Sequence, residues 1–169
     1  MKLMVFGHAR HGKDTAANVL ARRRRCTALA SSWVACEQFL FQDLRDAGHN
    51  YKTLKDAWDD RISSNEMRAF WYDSIRRFNA DDPTRLMRAV YAQTDIYTGI
   101  RCCHELAEGI KTCIVDLAIW VDASERLPSE PLTSMTCTRE QADIVIDNNG
   151  TEEEFLRRVK RLAYTLRVS

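Results

Sequence analysis

The sequence predicts an α/β fold, a parallel sheet covered by helices on both faces. Three observations predict it. Short apolar segments alternate with amphipathic ones along the whole chain, the signature of strands separated by crossover helices. One segment, 114–121, is apolar almost without a break, as a strand buried on both faces requires. A glycine-containing turn, GHARHGKDT, follows the first apolar segment and opens the first amphipathic one, the context in which a phosphate-binding loop has meaning.

Taken in order, 2–6 is an apolar strand running into that turn, and 13–24 is a helix with Ala16, Val19 and Leu20 on one face. A second strand is expected over 26–30 and an amphipathic helix over 33–47, stopped by Gly48. The pattern is then helical from 52 to 91, with Leu54, Trp58, Ile62, Met67, Phe70, Trp71, Ile75 and Phe78 as apolar positions. It is broken at 79–83, where Asp82-Pro83 should begin the next helix with proline near its first position. A third strand is expected over 94–100 and a short helix over 102–108, closed by Gly109. The buried strand 114–121 leads into a polar loop with two of the three prolines. The last strand is 143–146, followed by a turn at Asn148-Asn149-Gly150. Thr151 should cap the final helix, with Glu154 three residues later completing a capping box.

The totals narrow the function classes. A chain of 169 residues suits one domain. Its 45% apolar and 29% charged residues are ordinary for a globular protein, and no apolar run approaches the ~20 residues of a membrane span. No secretory leader pattern opens the chain, so a cytoplasmic location and no membrane partner are expected. A net charge of +1 gives no bulk argument for nucleic acid. The six cysteines, at 26, 36, 102, 103, 113 and 137, lack zinc-ligand spacing and are expected to be reduced and mostly buried. Arg22 to Arg25 read as a solvated helix face.

In open parallel sheets, ligands bind beyond the carboxyl ends of the strands. That rule selects the loop after Phe6, the region 98–101, the loop after Val121, and 147–150. The first carries Gly7-x-x-x-x-Gly12-Lys13. Glycines let successive N–H groups turn inward, the helix N-terminus adds partial positive charge, and lysine supplies a point charge to the β/γ phosphates. The stretch Gly7, His8, Ala9, Arg10, His11, Gly12, Lys13, Asp14 and Thr15 is therefore the candidate site for ATP. Asp14 stands where the motif expects Ser or Thr, so Thr15 is read as the magnesium-binding hydroxyl one step later. Asp14 has two readings: a carboxylate that orients or deprotonates an attacking hydroxyl, or a first-turn acid favoured by the helix dipole. Arg10 is a further phosphate contact, and the two histidines are expected as exposed loop residues.

Elsewhere, Arg101 opens a helix at a strand's carboxyl end and is placed to meet phosphate, with an i, i+4 salt bridge to Glu105 as the bland reading. Asp122 ends the long buried strand, a position from which a carboxylate can orient magnesium. The loop with Ser124, Glu125, Arg126 and Arg139 has the position of a lid; Arg126 closing over the triphosphate would neutralise charge in the transition state, and a plain surface loop is the alternative.

GHARHGKDT, TDIYTGIRCCHEL and ADIVIDNNGTEEEFLRRVKRL together resemble the phage P-loop deoxynucleoside monophosphate kinases and the related 5-hydroxymethyluracil DNA kinases. The resemblance implies a three-layer, nucleoside-kinase-like P-loop NTPase fold in a single domain, 1–169. It would have a central parallel five-stranded sheet, a helical acceptor region at about 52–92 and a lid-like loop at about 122–141. It implies ATP and Mg²⁺ as cofactors, an infected bacterial host, and a turn near the adenine at Asp147 to Gly150, with Asn148 and Gly150 as contacts. It matches Arg101 and Glu105 to the family's Asp-x-Arg-x-x-x-Glu element, but Gly99 stands in place of the aspartate. The implied partner is DNA containing 5-hydroxymethyluracil, or else a free deoxynucleoside monophosphate. Two features tilt towards DNA. The chain runs from LMRAVYAQ into TDIYTGIR without the insert expected of the monophosphate kinases. Arg61, Arg68, Arg76, Arg77, Arg85 and Arg88 also interleave with Trp58, Phe70, Trp71, Tyr72 and Phe78, residue types that hold phosphates and stack bases. Helical spacing also fits those aromatics to a core. The oligomeric state is left open, with a homodimer among the options.

Overall fold

The structure, a computed structural model, describes residues 1–166. Five parallel strands form one sheet: β1 Leu3–Phe6, β2 Ala28–Ala30, β3 Ile96–Thr98, β4 Leu117–Asp122 and β5 Ile144–Asp147, in the spatial order β2-β3-β1-β4-β5. β1 is central, with Val5 opposite Thr98 on one side and Phe6 opposite Trp120 on the other. The chain first builds outward on the β3 side of β1 and later on the β4 side. Its order therefore switches at β1, where a parallel sheet opens a crevice.

The alternation of side chains along the strands divides the core in two. Leu3, Val5, Ile96, Ile119 and Val121 meet Ala16, Ala17 and Leu20 of α1 (Lys13–Arg24) and Phe155, Val159 and Ala163 of α8 (Glu152–Thr165). The small alanines let α1 lie close to the sheet. On the opposite face, Met4, Phe6, Tyr97, Ala118 and Trp120 pack against the remaining helices. These are α2 (Ser31–Ala35), α3 (Phe41–Asp46), α4 (Leu54–Asp60), α5 (Asn65–Phe78), α6 (Arg85–Tyr91) and α7 (Cys103–Lys111). None of the described helices is long and apolar enough to cross a membrane.

α1 has the bounds the sequence suggests, and the Thr151–Glu154 capping box is formed. Other boundaries differ for identifiable reasons. The 33–47 helix is α2 and α3 joined by a π-helical turn, Cys36–Leu40, so that Cys36, Leu40 and Leu44 all stay buried. The segment 52–91 is three helices: Thr53 and Ser64 each accept a hydrogen bond from a backbone N–H and start α4 and α5. Asp82-Pro83 do not open a helix. The Asp82 carboxylate accepts from the Thr84 N–H and hydroxyl in a turn, and α6 begins at Arg85. Gly109 does not close α7 but lies inside it, because a Cβ there would come within 2.4 Å of the Met87 sulfur. Only Cys36 and Cys137 of the six cysteines are buried; all are free thiols, and burial pushes Cys36 up to about 11.

Candidate functional site

β1 ends at Phe6 and α1 begins at Lys13, so six residues make the turn. Gly7 adopts φ +145° where a Cβ would lie 2.6 Å from the Val121 carbonyl oxygen, and Gly12 adopts φ +96°. Both glycines are therefore demanded by the backbone.

The back of the loop is sealed by buried polar groups. His11 is fully buried, not exposed as expected. Its Nδ1 accepts the N–H of Ala123, just past β4, and its carbonyl accepts from the Asn148 side-chain amide at 2.8 Å. The ring Nε2 therefore carries the proton, and it has no hydrogen-bond partner among the described residues. Asn148 is also buried, and its amide would meet a Cβ on Gly12 at 2.7 Å. Expected as an adenine contact, Asn148 instead braces the loop from behind. Gly150 is exposed in the turn before α8.

The front of the loop gathers charge. Lys13 reaches back to the His8 carbonyl at 3.5 Å, and burial holds its ammonium below the ordinary lysine range, assisted by the Arg101 charge and opposed by Asp14 and Glu130. The Ala9 N–H donates to Glu130 Oε2 at 2.6 Å, and Arg101 donates to Glu130 Oε1 at 2.6 Å. Burial alone would raise Glu130, but the bond and charge of Arg101, the Ala9 amide and Lys13 outweigh it and hold the carboxyl below its ordinary range. A backbone amide and an arginine thus bond one carboxylate, and the lysine charge acts on it from farther off. His8 accepts the Glu130 N–H on Nδ1, and its ring sits edge-on to Trp120 and to His11, each 5.2 Å away. Burial first, then the neighbouring His11, holds His8 below its ordinary value, against the opposing pull of Glu130 and Asp122.

The structure reassigns several expected residues. Arg101 meets Glu130 instead of Glu105, while Glu105 accepts from Asn79 at 2.9 Å. Arg126 does not lie over the phosphate loop. It donates twice to the Asn148 carbonyl, at 2.8 and 2.6 Å, and pins the base of its loop. The residue of that loop that reaches the turn after β1 is Glu130, which the sequence pattern does not single out. Its only signal is an acid between Pro128 and Pro131, two residues that narrow the loop's conformations. Arg10 stands exposed at the tip of the turn with φ 66°. Gly99 adopts φ +98°, and a Cβ there would press on the Ser31 hydroxyl at 2.8 Å, so the family's aspartate has no room in this backbone.

Asp14 and Thr15 are exposed on the first turn of α1. Asp122 accepts from the Ser124 N–H and faces Arg139 at 3.4 Å. The described residues contain no all-protein metal cage. A magnesium ion held largely by substrate phosphates and water does not need one; Thr15 and Asp122 are the oxygen donors expected for it from the sequence.

Arg61 is the other cation on this side. Its guanidinium lies 3.7 Å over the Trp58 ring and donates to the Trp58 carbonyl, within electrostatic reach of Asp14 and Arg101. Trp58 is itself fixed by the Ser32 hydroxyl and by Trp33 edge-on. Most expected stacking aromatics are core: Trp71 is buried, and Phe70 and Phe78 pack on the apolar cluster. Tyr72 is exposed, and with Arg68 and Arg76 it forms an i, i+4, i+8 stripe on α5. No protein-family model matches the chain, and no curated protein matches it.

Proposed function

We propose that the chain is an ATP-dependent phosphotransferase with a three-layer P-loop kinase fold, and that its acceptor is the hydroxymethyl group of 5-hydroxymethyluracil in DNA. The observation that carries the first part is that the Ala9 N–H and Arg101 both bond a single anion at the carboxyl ends of β1 and β3, with the Lys13 charge within electrostatic reach of it. A carboxylate holds the position here, and a phosphate oxygen has the same charge and acceptor chemistry.

In this reading Gly7 and Gly12 hold the curled backbone around the triphosphate, and Lys13 and Arg101 neutralise charge that builds as the γ-phosphoryl group moves in line to the acceptor. Thr15 and Asp122 would hold Mg²⁺, which would supply Lewis-acid stabilisation of developing charge. Asp14, exposed beside Arg101 and Arg61, faces the acceptor side. There it orients or deprotonates the attacking hydroxyl, or else serves only as a first-turn acid of α1.

The polymer acceptor is supported by the sequence resemblance and by the Arg68–Tyr72–Arg76 stripe, which offers two phosphate contacts and one stacking face. A base inside a duplex would have to leave the stack to be phosphorylated. A free deoxynucleoside monophosphate is the second reading, favoured by Arg61: a guanidinium half-buried on Trp58 and facing Arg101 suits a small phosphate equally well. A nucleotide-binding regulator without catalysis is the reading from another class.

Incubation with γ-labelled ATP separates the three. Label on hydroxymethyluracil-containing DNA supports the first reading. Label only on free monophosphates replaces it with the second. Binding of ATP with no transfer to either leaves the third.

A further inference from the structure

The loop between β4 and β5 is anchored at both ends. Arg126 holds its start to Asn148. Met135 and Cys137 are buried near its end, where Thr136 and Cys137 both donate to the Arg101 carbonyl. Between these anchors, Pro131 starts a turn by accepting from Ser134 and Met135. Proline after Glu130 favours extended backbone at that residue, and the Glu130 side chain reaches the phosphate turn. Both of its carboxylate oxygens are engaged by the groups that would bind phosphate, Ala9 N–H and Arg101. Its own N–H is latched to His8.

We infer that Glu130 is a built-in anion plug for the phosphate loop. This rests on the phosphate-site reading above and adds a regulation of that same site. The single Ala9 N–H cannot serve two anions together, and like charges at that distance repel. Binding of a triphosphate therefore exchanges the Glu130 carboxylate for phosphate oxygens, and Arg101 passes from one to the other. The exchange has a selective effect. A ligand with several negative charges overcomes the carboxylate, whereas a singly charged anion does not. Displacing Glu130 also releases the middle of a loop whose ends stay fixed, so the loop can rearrange only once the correct ligand is seated.

Apparent affinity scales with the fraction of molecules whose seat is open. If the plug closes about nine sites in ten, its removal tightens binding about tenfold. The test is calorimetric titration of the wild-type chain, Glu130→Gln and Glu130→Ala with inorganic tripolyphosphate and with ATP, folding being checked by circular dichroism. Glu130→Gln keeps the side chain's volume and one acceptor oxygen while removing the charge. Both variants should bind both ligands about tenfold or more tightly than the wild type. Equal affinity, or weaker binding by the variants, overturns the plug while leaving the phosphate site intact; weaker binding would make Glu130 a support for Arg101. Failure of all three proteins to bind either ligand overturns the plug together with the phosphate-site reading.

Discussion

The two sides of the turn between β1 and α1 are built differently. Behind it, the buried His11 and Asn148 interlock beneath Gly12, so that a backbone carbonyl, a side-chain amide and two strand ends fix one another. In front of it, an arginine and an amide meet one carboxylate presented by a loop. The back has a single arrangement, since its buried polar groups have no water to fall back on. The front is made of charges that any suitable anion can engage. A rigid back with an exchangeable front is what a site needs if it must hold the backbone still while ligands come and go.

The sharpest way to break this contrast is at the front. Lys13→Ala should lower phosphoryl transfer by about 10³-fold while leaving the unfolding transition nearly unchanged, as measured by labelled-product formation and thermal melts. Full activity in that variant would remove the loop from the chemistry. At the back, Asn148→Ala strands the His11 carbonyl in a buried place. It should cost about 1–3 kcal/mol of stability in urea unfolding, whether or not nucleotide is present. If the loss is confined to nucleotide binding, Asn148 is a ligand contact and not a brace.

Beyond the loop, Arg68→Ala and Arg76→Ala test the polymer surface. Each should lower the salt slope of DNA binding by about one and weaken binding similarly for all sequences, while free-monophosphate turnover stays unchanged. An unchanged slope would take α5 out of the acceptor surface.

The smallest effect concerns Glu105, the half-buried acid of α7 that accepts from Asn79. Burial holds the Glu105 carboxyl above its ordinary 4.5, against the opposing Asn79 hydrogen bond. The folded chain then keeps a proton that the unfolded chain has lost. Stability should fall as pH rises from about 4.5 through the raised folded value. Glu105→Gln keeps an acceptor for Asn79 and should flatten that slope in pH-resolved melts. A slope that survives the change belongs to another group.

How much of this could be read from the residues depends on the range of each interaction. The strand–turn–helix of 1–24, and the Thr151–Glu154 box, are local and legible, since spacing alone specifies them. His11 and Glu130 were not. His11 reads as a loop residue until Ala123 and Asn148 enclose it, and Glu130 reads as a solvated acid although it lies 121 residues from the Ala9 amide it accepts from. Gly109 misleads in the same way: within one helix it looks like a stop, and only Met87 across the interface explains it. Arg101 follows β3 as its spacing suggests, but its partner comes from another loop and not from the neighbouring Glu105.

The central claim is that the front of the turn is a seat for nucleotide phosphates. Calorimetric titration with Mg-ATP of the wild-type chain beside Lys13→Ala tests it most directly. The account predicts saturable one-site binding by the wild type that the variant loses, with the thermal transition of the variant unchanged. Binding of equal affinity by both chains, or none by the wild type, would contradict it.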